Sequence, residues 1–370
     1  MRGPLFQALT VGAASAPPLL PTQETAMPPE KPTLSRETAL IEALSRKFGP
    51  PPPGVVLGIG DDCAALSLDG TDYLLWTVDT LVEGVHFDLS YTTLAQLGWK
   101  ALAVNLSDIA AMGGVPGQAL LSLGWPPERD PSLALELADG LAQAAREYNA
   151  AIIGGDTVAS PGRLTVTITL TGRVPARQML RRAGAQVGDL IYVTGDLGEA
   201  AAGLAVLRQR PDLDPELMAA LAKAHLAPRP QLTAGRLLAA EGLATAAIDT
   251  SDGVASDLYH ICRAGGVGAV IPAAAVPISP RVLAAAPYLQ ADPLKLALMG
   301  GEDYLLLFTA ERDMVPRLAA AFHRAGLHPP LLLGEIIAGD RVSLVTAAGE
   351  VDISGAGFDH FRLDLKADSI

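Results

Sequence analysis

Acidic residues set beside glycine and hydroxyl side chains recur along this chain. They stand at Gly58-Ile59-Gly60-Asp61-Asp62, Val78-Asp79-Thr80, Ser107-Asp108, Gly154-Gly155-Asp156-Thr157, Asp249-Thr250-Ser251-Asp252-Gly253 and Gly300-Gly301-Glu302-Asp303. Carboxylates supply the hard oxygen ligands that divalent cations take, and glycine lets the backbone turn sharply and approach a ligand. One such cluster has an ordinary explanation, an Asx turn or a helix cap. Their repetition points to a site that holds several cations and handles phosphate.

Each cluster suggests its own role. Asp61-Asp62 follows a Gly-x-Gly turn, so both carboxylates can project from one tight bend. Asp79 follows an apolar strand with Thr77 on the same face, and open sheets place ligands at the C-terminal ends of strands. A capping aspartate would look the same. Asp108 lies within an apolar helical pattern, with Asn105 one turn before it on the same face. A charge buried there is costly unless a partner or a metal compensates it. Gly154-Gly155 can turn backbone amides towards a phosphate while Asp156 offers a metal bridge. Asp249 and Asp252 flank Ser251 at a helix start, where two carboxylates can share a metal and the helix amides can face phosphate oxygens. An N-cap with a first-turn acid is the plainer reading of that spacing.

Other residues carry weaker signals. His86 is either a phosphate contact or a core or solvated histidine. Arg182 either reaches a nucleotide or is a surface arginine. Glu302 either meets a cationic or hydrogen-bonding group or closes a turn. Phe358 is a stacking wall or a core residue. The chain contains no GxxxxGK[ST] loop, no GxGxxG fingerprint and no HRD-type loop, so phosphoryl chemistry here would rely on cations rather than on a P-loop lysine.

Ser35 is the expected N-cap of a helix over residues 36–47, which Gly49 and Pro50–Pro53 terminate. Strands are expected at 55–57, 73–78, 120–123, 152–153, 164–170, 190–193, 246–248, 304–308, 331–333 and 342–345. An amphipathic helix over 94–112 closes at Gly113-Gly114. Asp130-Pro131 opens a helix with Leu133, Leu137, Leu141 and Ala145 on one face, and Asp214-Pro215 opens another. Further helices follow Gly198 and Gly253, and one is expected over 314–325. The result is an α/β (α+β) chain in two halves, expected at 35–185 and 186–362, after an expected disordered tail over 1–34 or a start at Met27.

The chain has 370 residues, 49% apolar and 18% charged, enough for two domains with their own cores. A net charge of −13 argues against nucleic acid as a partner. It also means that an anionic ligand needs cations to reverse the local field. Cys63 and Cys262 form no CxxC or Cys/His pattern, which fits a reducing cytoplasm. No apolar run approaches the roughly 20 residues of a membrane span.

The segments 58–66 (GIGDDCAAL), 77–87 (TVDTLVEGVHF), 100–114 (KALAVNLSDIAAMGG), 153–157 (IGGDT), 192–204 (YVTGDLGEAAAGL), 247–258 (AIDTSDGVASDL), 300–308 (GGEDYLLLF) and 357–361 (GFDHF) resemble, in order and spacing, the thiamine-monophosphate kinases. These belong to the superfamily that shares the ATP-binding fold of aminoimidazole ribonucleotide synthetase. The resemblance covers about Ser35 to Phe361. It implies a two-domain aminoimidazole ribonucleotide synthetase-like α/β fold, an N-terminal sheet that pairs across a homodimer, and several Mg²⁺ ions. Metal ligands would be Asp62, Thr77, the Val78 backbone, Asp79, Asp108, Asp156, Asp249 and Asp252. ATP would meet Gly155, Asp156, Arg182 and Ser251, and thiamine monophosphate would meet His86, Glu302 and Phe358. Val78 departs from the hydroxyl residue expected there, which is compatible with a backbone ligand only.

The implied reaction moves the ATP γ-phosphoryl group to thiamine monophosphate, giving thiamine diphosphate and ADP. Rival readings are another enzyme of the superfamily, or a non-catalytic metal and nucleotide sensor. Cys63 has no nearby lysine and the chain ends in Ala367-Asp368-Ser369-Ile370, which disfavours the selenophosphate synthetase and hydrogenase maturation members.

Overall fold

A computed structural model describes residues 35–361. The expected 1–34 tail and the extreme C-terminus lie outside them. Ser35 caps the first helix, α1 (Arg36–Phe48), its Oγ accepting from the Thr38 N–H at 3.0 Å, and Gly49 ends it with φ 77°. There follow β1 (Val55–Leu57), β2 (Ala64–Ser67), β3 (Asp72–Val82), α2 (Leu94–Ala111), β4 (Val115–Trp125), α3 (Ala134–Glu147), β5 (Ala151–Ala159) and β6 (Thr165–Pro175). The six strands form one sheet in the order β1-β2-β3-β6-β4-β5, antiparallel except for the parallel β4–β5 pair.

The second half contains β7 (Leu190–Val193), α4 (Glu199–Gln209), α5 (Pro215–Leu226), α6 (Leu232–Glu241), β8 (Ala246–Asp249), α7 (Val254–Gly265), β9 (Gly268–Pro272), α8 (Pro280–Leu289), α9 (Pro293–Met299), β10 (Leu306–Ala310), α10 (Val315–Arg324), β11 (Leu331–Ile337), β12 (Val342–Thr346) and β13 (Gly349–Asp352). Its seven-stranded sheet runs β13-β12-β9-β11-β7-β10-β8. Asp130, Asp214 and Asp292 each precede a proline and accept from main-chain N–H groups at helix starts, as Pro at N1 requires.

The helix α2 governs the position of the site. A Thr93–Gln96 capping box fixes its start. It is not the amphipathic helix that the sequence pattern suggests. It is buried nearly all round, because it packs on α3, β3 and β6 on one side and on α6 and β8 of the second half on the other. Polar residues on it, among them Lys100, Asn105 and Ser107, are therefore enclosed between the two halves.

Three further expectations change. The strand ending at residue 78 continues to Val82, with β6 paired along its whole length, so Asp79 is an interior strand residue. The Gly154–Thr157 cluster lies within β5 rather than after a strand. Leu133 sits in a 3₁₀ turn and is 39% exposed, so of the four expected residues Leu137, Leu141 and Ala145 lie on the buried face of α3, with Gly140 and Ala144 beside them. Along β6, Val166, Ile168 and Leu170 are buried and the intervening threonines half-buried. Opposite the helical layer, the N-terminal sheet exposes Trp76, Val78, Leu120, Ile153 and Val158.

Candidate active site

Strand alternation places Leu75, Thr77, Asp79 and Leu81 on the inner face of β3, towards α2. The Thr77 hydroxyl donates to Asp108 Oδ2, and Asp79 bonds to the same carboxyl. Val78 points the other way and is 60% exposed, so only its main-chain atoms can take part in the site. Asp249 ends β8 against Ser107 of α2. Oxygens of Asp62, Asp108 and Asp249 lie within 4.8 Å of one another. Three residues remote in sequence thus converge where α2 is trapped between the halves.

Packing these carboxyls together out of water is unfavourable, and their protonation reflects it. Burial raises Asp249 to about 8, with the Asp62 charge adding to the effect. Burial likewise lifts Asp79 to about 6, with Asp62 adding to it. Asp108 is pushed well up by burial and then by Asp79, Asp249 and Asp62. Asp62 is raised by burial, and Arg182 opposes that rise. Its Oδ2 is buried with no hydrogen-bond partner, and the same is true of Asn105 Oδ1. An orphaned carboxylate oxygen among converging acids is the donor set of a hard divalent cation, so the residues fit Mg²⁺. Cys63, beside the cluster, has its thiol driven well above the ordinary range by burial and then by the surrounding carboxylates, which suits a packed thiol and not a nucleophile.

Arg182 lies within the acidic cluster. Its Nε donates to Asp62 Oδ1 at 3.0 Å and its main-chain N–H reaches Asp61 Oδ2 at 3.2 Å. Asp252 lies beyond Asp249 and is lifted to about 6 by burial and by Glu37. Its carbonyl accepts from the Phe358 N–H at 3.0 Å, tying the C-terminal segment to the site. Ser251 O accepts from the Glu302 N–H at 2.8 Å. This close approach demands glycine next door, since a Cβ on Gly301 would fall 2.4 Å from Ser251 O.

Aromatic groups converge nearby. The His86 and His360 rings are 5.0 Å apart, and Phe358 meets His360 edge-on at 4.8 Å. His86 Nδ1 accepts from the Val82 N–H at 3.0 Å. A cavity of about 310 Å³ opens between the loop that carries His86 and the end of α4, lined by Asp88, Ser90, Tyr91 and Arg208 among others.

Gly155 and Asp156 are not brought to this cluster within one copy of the chain. Asp79, Ile168, Leu121 and Gly155 share one row across the sheet. Three strand spacings therefore separate β3 from β5, roughly 14 Å. Asp156 pairs through Ser122 and Thr167 with Thr80, so it belongs to the opposite, exposed face. Sequence reasoning also missed Lys100, His225 and His360. Lys100 was legible in part, as a lone charge in the apolar run Leu97–Leu106 on the face that carries Ser107.

Residues 60–174 match the family model of the AIR synthase related protein, N-terminal domain, and residues 186–347 that of its C-terminal domain. The thiamine-monophosphate kinase of Salmonella typhimurium is 41% identical over 309 residues, covering 83% of this chain and 92% of its own. The crystal structure of thiamine-monophosphate kinase from Stenotrophomonas maltophilia aligns at 37% identity with a TM-score of 0.68, covering 83% of this chain and 94% of that one. A structure of AaThiL complexed with AMPPCP and TMP aligns at 29% identity with a TM-score of 0.74, covering 85% and 96%. The chain belongs to the AIR synthase-related family and, within it, to the thiamine-monophosphate kinases.

Proposed function

We propose that this protein transfers the γ-phosphoryl group of ATP directly to the phosphate of thiamine monophosphate, forming thiamine diphosphate and ADP. Similarity to thiamine-monophosphate kinases across both halves of the chain supports this, as does the likeness to AaThiL complexed with AMPPCP and TMP. The observation that carries the reading is the convergence of Asp62, Asp108 and Asp249 around the orphaned Asp62 Oδ2.

The acceptor is already an anionic phosphate oxygen, so no strong general base is required. The obstacle is bringing negative groups together, and bound Mg²⁺ ions would neutralise and align the phosphates. Asp62, Thr77, Asp79, Asp108, Asp249, Asp252 and the Val78 carbonyl are the proposed ligands. Ser251 and Arg182 would steady the nucleotide, while His86, Glu302 and Phe358 would hold the acceptor. The domain boundary is proposed near residues 185–186.

A homodimer is part of this proposal. The exposed apolar row of Trp76, Val78, Leu120, Ile153 and Val158 supports pairing through the N-terminal sheet. So does the position of Gly155 and Asp156 on that same sheet, away from the carboxylates of their own chain; a second copy would supply both to the nucleotide, and Asp156 also as a metal ligand. Among the described residues no helix is long and apolar enough to cross a membrane, and both cysteines are free and buried. A cytoplasmic location is proposed on that basis.

The test is product analysis with ATP, Mg²⁺ and thiamine monophosphate, against thiamine and no-acceptor controls. Thiamine diphosphate formed only from the monophosphate is the expected result. ADP without thiamine diphosphate would assign another acceptor, and nucleotide binding without turnover would leave a sensor.

A further inference from the structure

Lys100 is among the largest fully buried side chains, 1% exposed in the middle of α2. Its Nζ lies 2.7 Å from Oε1 of Glu302. The other carboxylate oxygen, Oε2, lies 2.8 Å from Nδ1 of His225, which α5 presents and which is itself 2% exposed. Three elements that are far apart in sequence, one of them in the N-terminal half, meet on a single carboxylate. Stability does not explain the arrangement, because a buried ion pair is often no better than apolar residues of the same volume.

The backbone beneath Glu302 gives a second, independent indication. Glu302 and Tyr304 both occupy the left-handed region, at φ 70° and 48°. Such strain persists only where neighbouring structure holds it. Here the Glu302 N–H bonds to Ser251 O and the Tyr304 N–H to Thr250 O at 2.9 Å. Between them, the Asp303 carboxylate takes the Gly198 N–H at 2.7 Å and the Ala200 N–H at 3.0 Å at the start of α4. The segment is pinned on both sides so that one carboxylate points inward.

Burial would raise the Glu302 carboxyl, but the Lys100 charge and then His225 outweigh it and hold it at about 2. Burial, with Lys100 adding to it, lowers His225, whose Nδ1 approaches Glu302 Oε2 closely but, like Lys100 Nζ, is not aligned for a hydrogen bond. The Glu302 side chain remains 23% exposed. A carboxylate offers about four acceptor positions, so at least two remain beyond those that face Lys100 and His225.

We propose that Lys100 and His225 are positioning residues, a clamp across the two domains that aims Glu302 as a hydrogen-bond acceptor for the amino group on the acceptor's pyrimidine ring, and not as a counter-ion for its thiazolium. This rests on the functional reading above. An ammonium 2.7 Å away largely cancels the field that Glu302 would exert on a more distant cation. Its directed lone pairs are unaffected by that cancellation. A site built around such an acceptor rejects an analogue that cannot donate to it.

The experiment compares thiamine monophosphate with the analogue whose pyrimidine carries an oxo group in place of the amino group. It uses the full chain with ATP and Mg²⁺, and wild type should prefer the natural acceptor by about 100-fold or more in kcat/KM. Lys100→Met should raise KM for thiamine monophosphate about tenfold or more, leave KM for ATP unchanged and lose most of that preference. Lys100→Arg should restore part of it. Lys100→Met with Glu302→Gln, which leaves no unpaired charge, should fold and should also lack the preference. Folded Lys100→Met that discriminates like wild type would overturn the clamp, as would wild type that uses both acceptors equally. A wild-type protein that forms no thiamine diphosphate at all overturns the functional reading, and the clamp with it.

Discussion

Arg182 donates its Nε–H to Asp62 Oδ1 at 3.0 Å, so an arginine expected to meet the nucleotide is held by a carboxylate expected to hold metal. Its main-chain N–H reaches the neighbouring Asp61, and the whole residue closes on the Gly58–Asp62 turn. Opposite charges at this distance hold Asp62 below where burial alone would put it. The guanidinium is thereby oriented before any nucleotide arrives. Arg182→Met should raise KM for ATP about tenfold or more, with a smaller effect on the acceptor, measurable by steady-state kinetics and by nucleotide titration.

Proton linkage sets the pH behaviour of the cation-free protein. Asp249 at about 8, Asp61 at about 7, and Asp79 and Asp252 at about 6 all lie above the ordinary 3.8, chiefly through burial. A carboxyl raised on folding binds more protons in the native state. Its contribution is full below about pH 4 and is lost as pH rises through about 6 to 8. In chelator, the thermal midpoint should therefore fall between about pH 5 and pH 8. Saturating Mg²⁺ should stabilise most at the alkaline end, where the ligands are ionised. Parallel pH profiles with and without Mg²⁺ would sink the cation site.

Removing single carboxylates should separate stability from turnover. Asp79, Asp108, Asp156 or Asp249 changed to Asn should each lose about 100-fold or more in kcat while the protein stays folded. For Asp108→Asn and Asp249→Asn the midpoint in chelator should rise by a few degrees, since each removes like-charge repulsion in a buried cluster. Asp156→Asn, remote from the buried cluster of its own chain, should not share that rise. Near-normal turnover in all four would remove the polymetal mechanism.

Local chemistry made the element starts legible. Ser35, Asp130 and Asp214 cap helices where the sequence places caps, and the buried strand over 190–193 matches β7 exactly in extent. What the chain does not announce is layering. A helix enclosed on both sides, such as α2, has no polar face, so its periodicity is a poor guide to orientation. Short elements whose burial comes from distant partners, such as β2, β9 and α9, likewise leave little pattern. The acids of the site were visible as motifs, but which of them converge was not. Asp156 and Asp79 look alike in sequence and fall on opposite faces of one sheet. The contact of Lys100 and His225 with Glu302 depends on the way α2 and α5 meet one loop, and local spacing does not encode that.

Phe358 offers a test of the acceptor side. Its ring is 42% exposed, yet its backbone is fixed, because its N–H bonds to Asp252 O and a Cβ on Gly357 would lie 2.5 Å from that same carbonyl. The exposed ring stands edge-on to His360, which in turn faces His86, so a heteroaromatic ring could complete the group. Such contacts contribute about 0.5–1.5 kcal/mol each. Phe358→Ala should therefore raise KM for thiamine monophosphate about threefold to tenfold, leave KM for ATP unchanged and barely shift the thermal midpoint. Gly357→Ala should raise the same KM from the backbone side, by displacing the segment from Asp252 while the ring is still present, and should lower the thermal midpoint as well. If Phe358→Ala weakened ATP and acceptor equally, the ring would act on the fold of the C-terminal segment and not on the substrate.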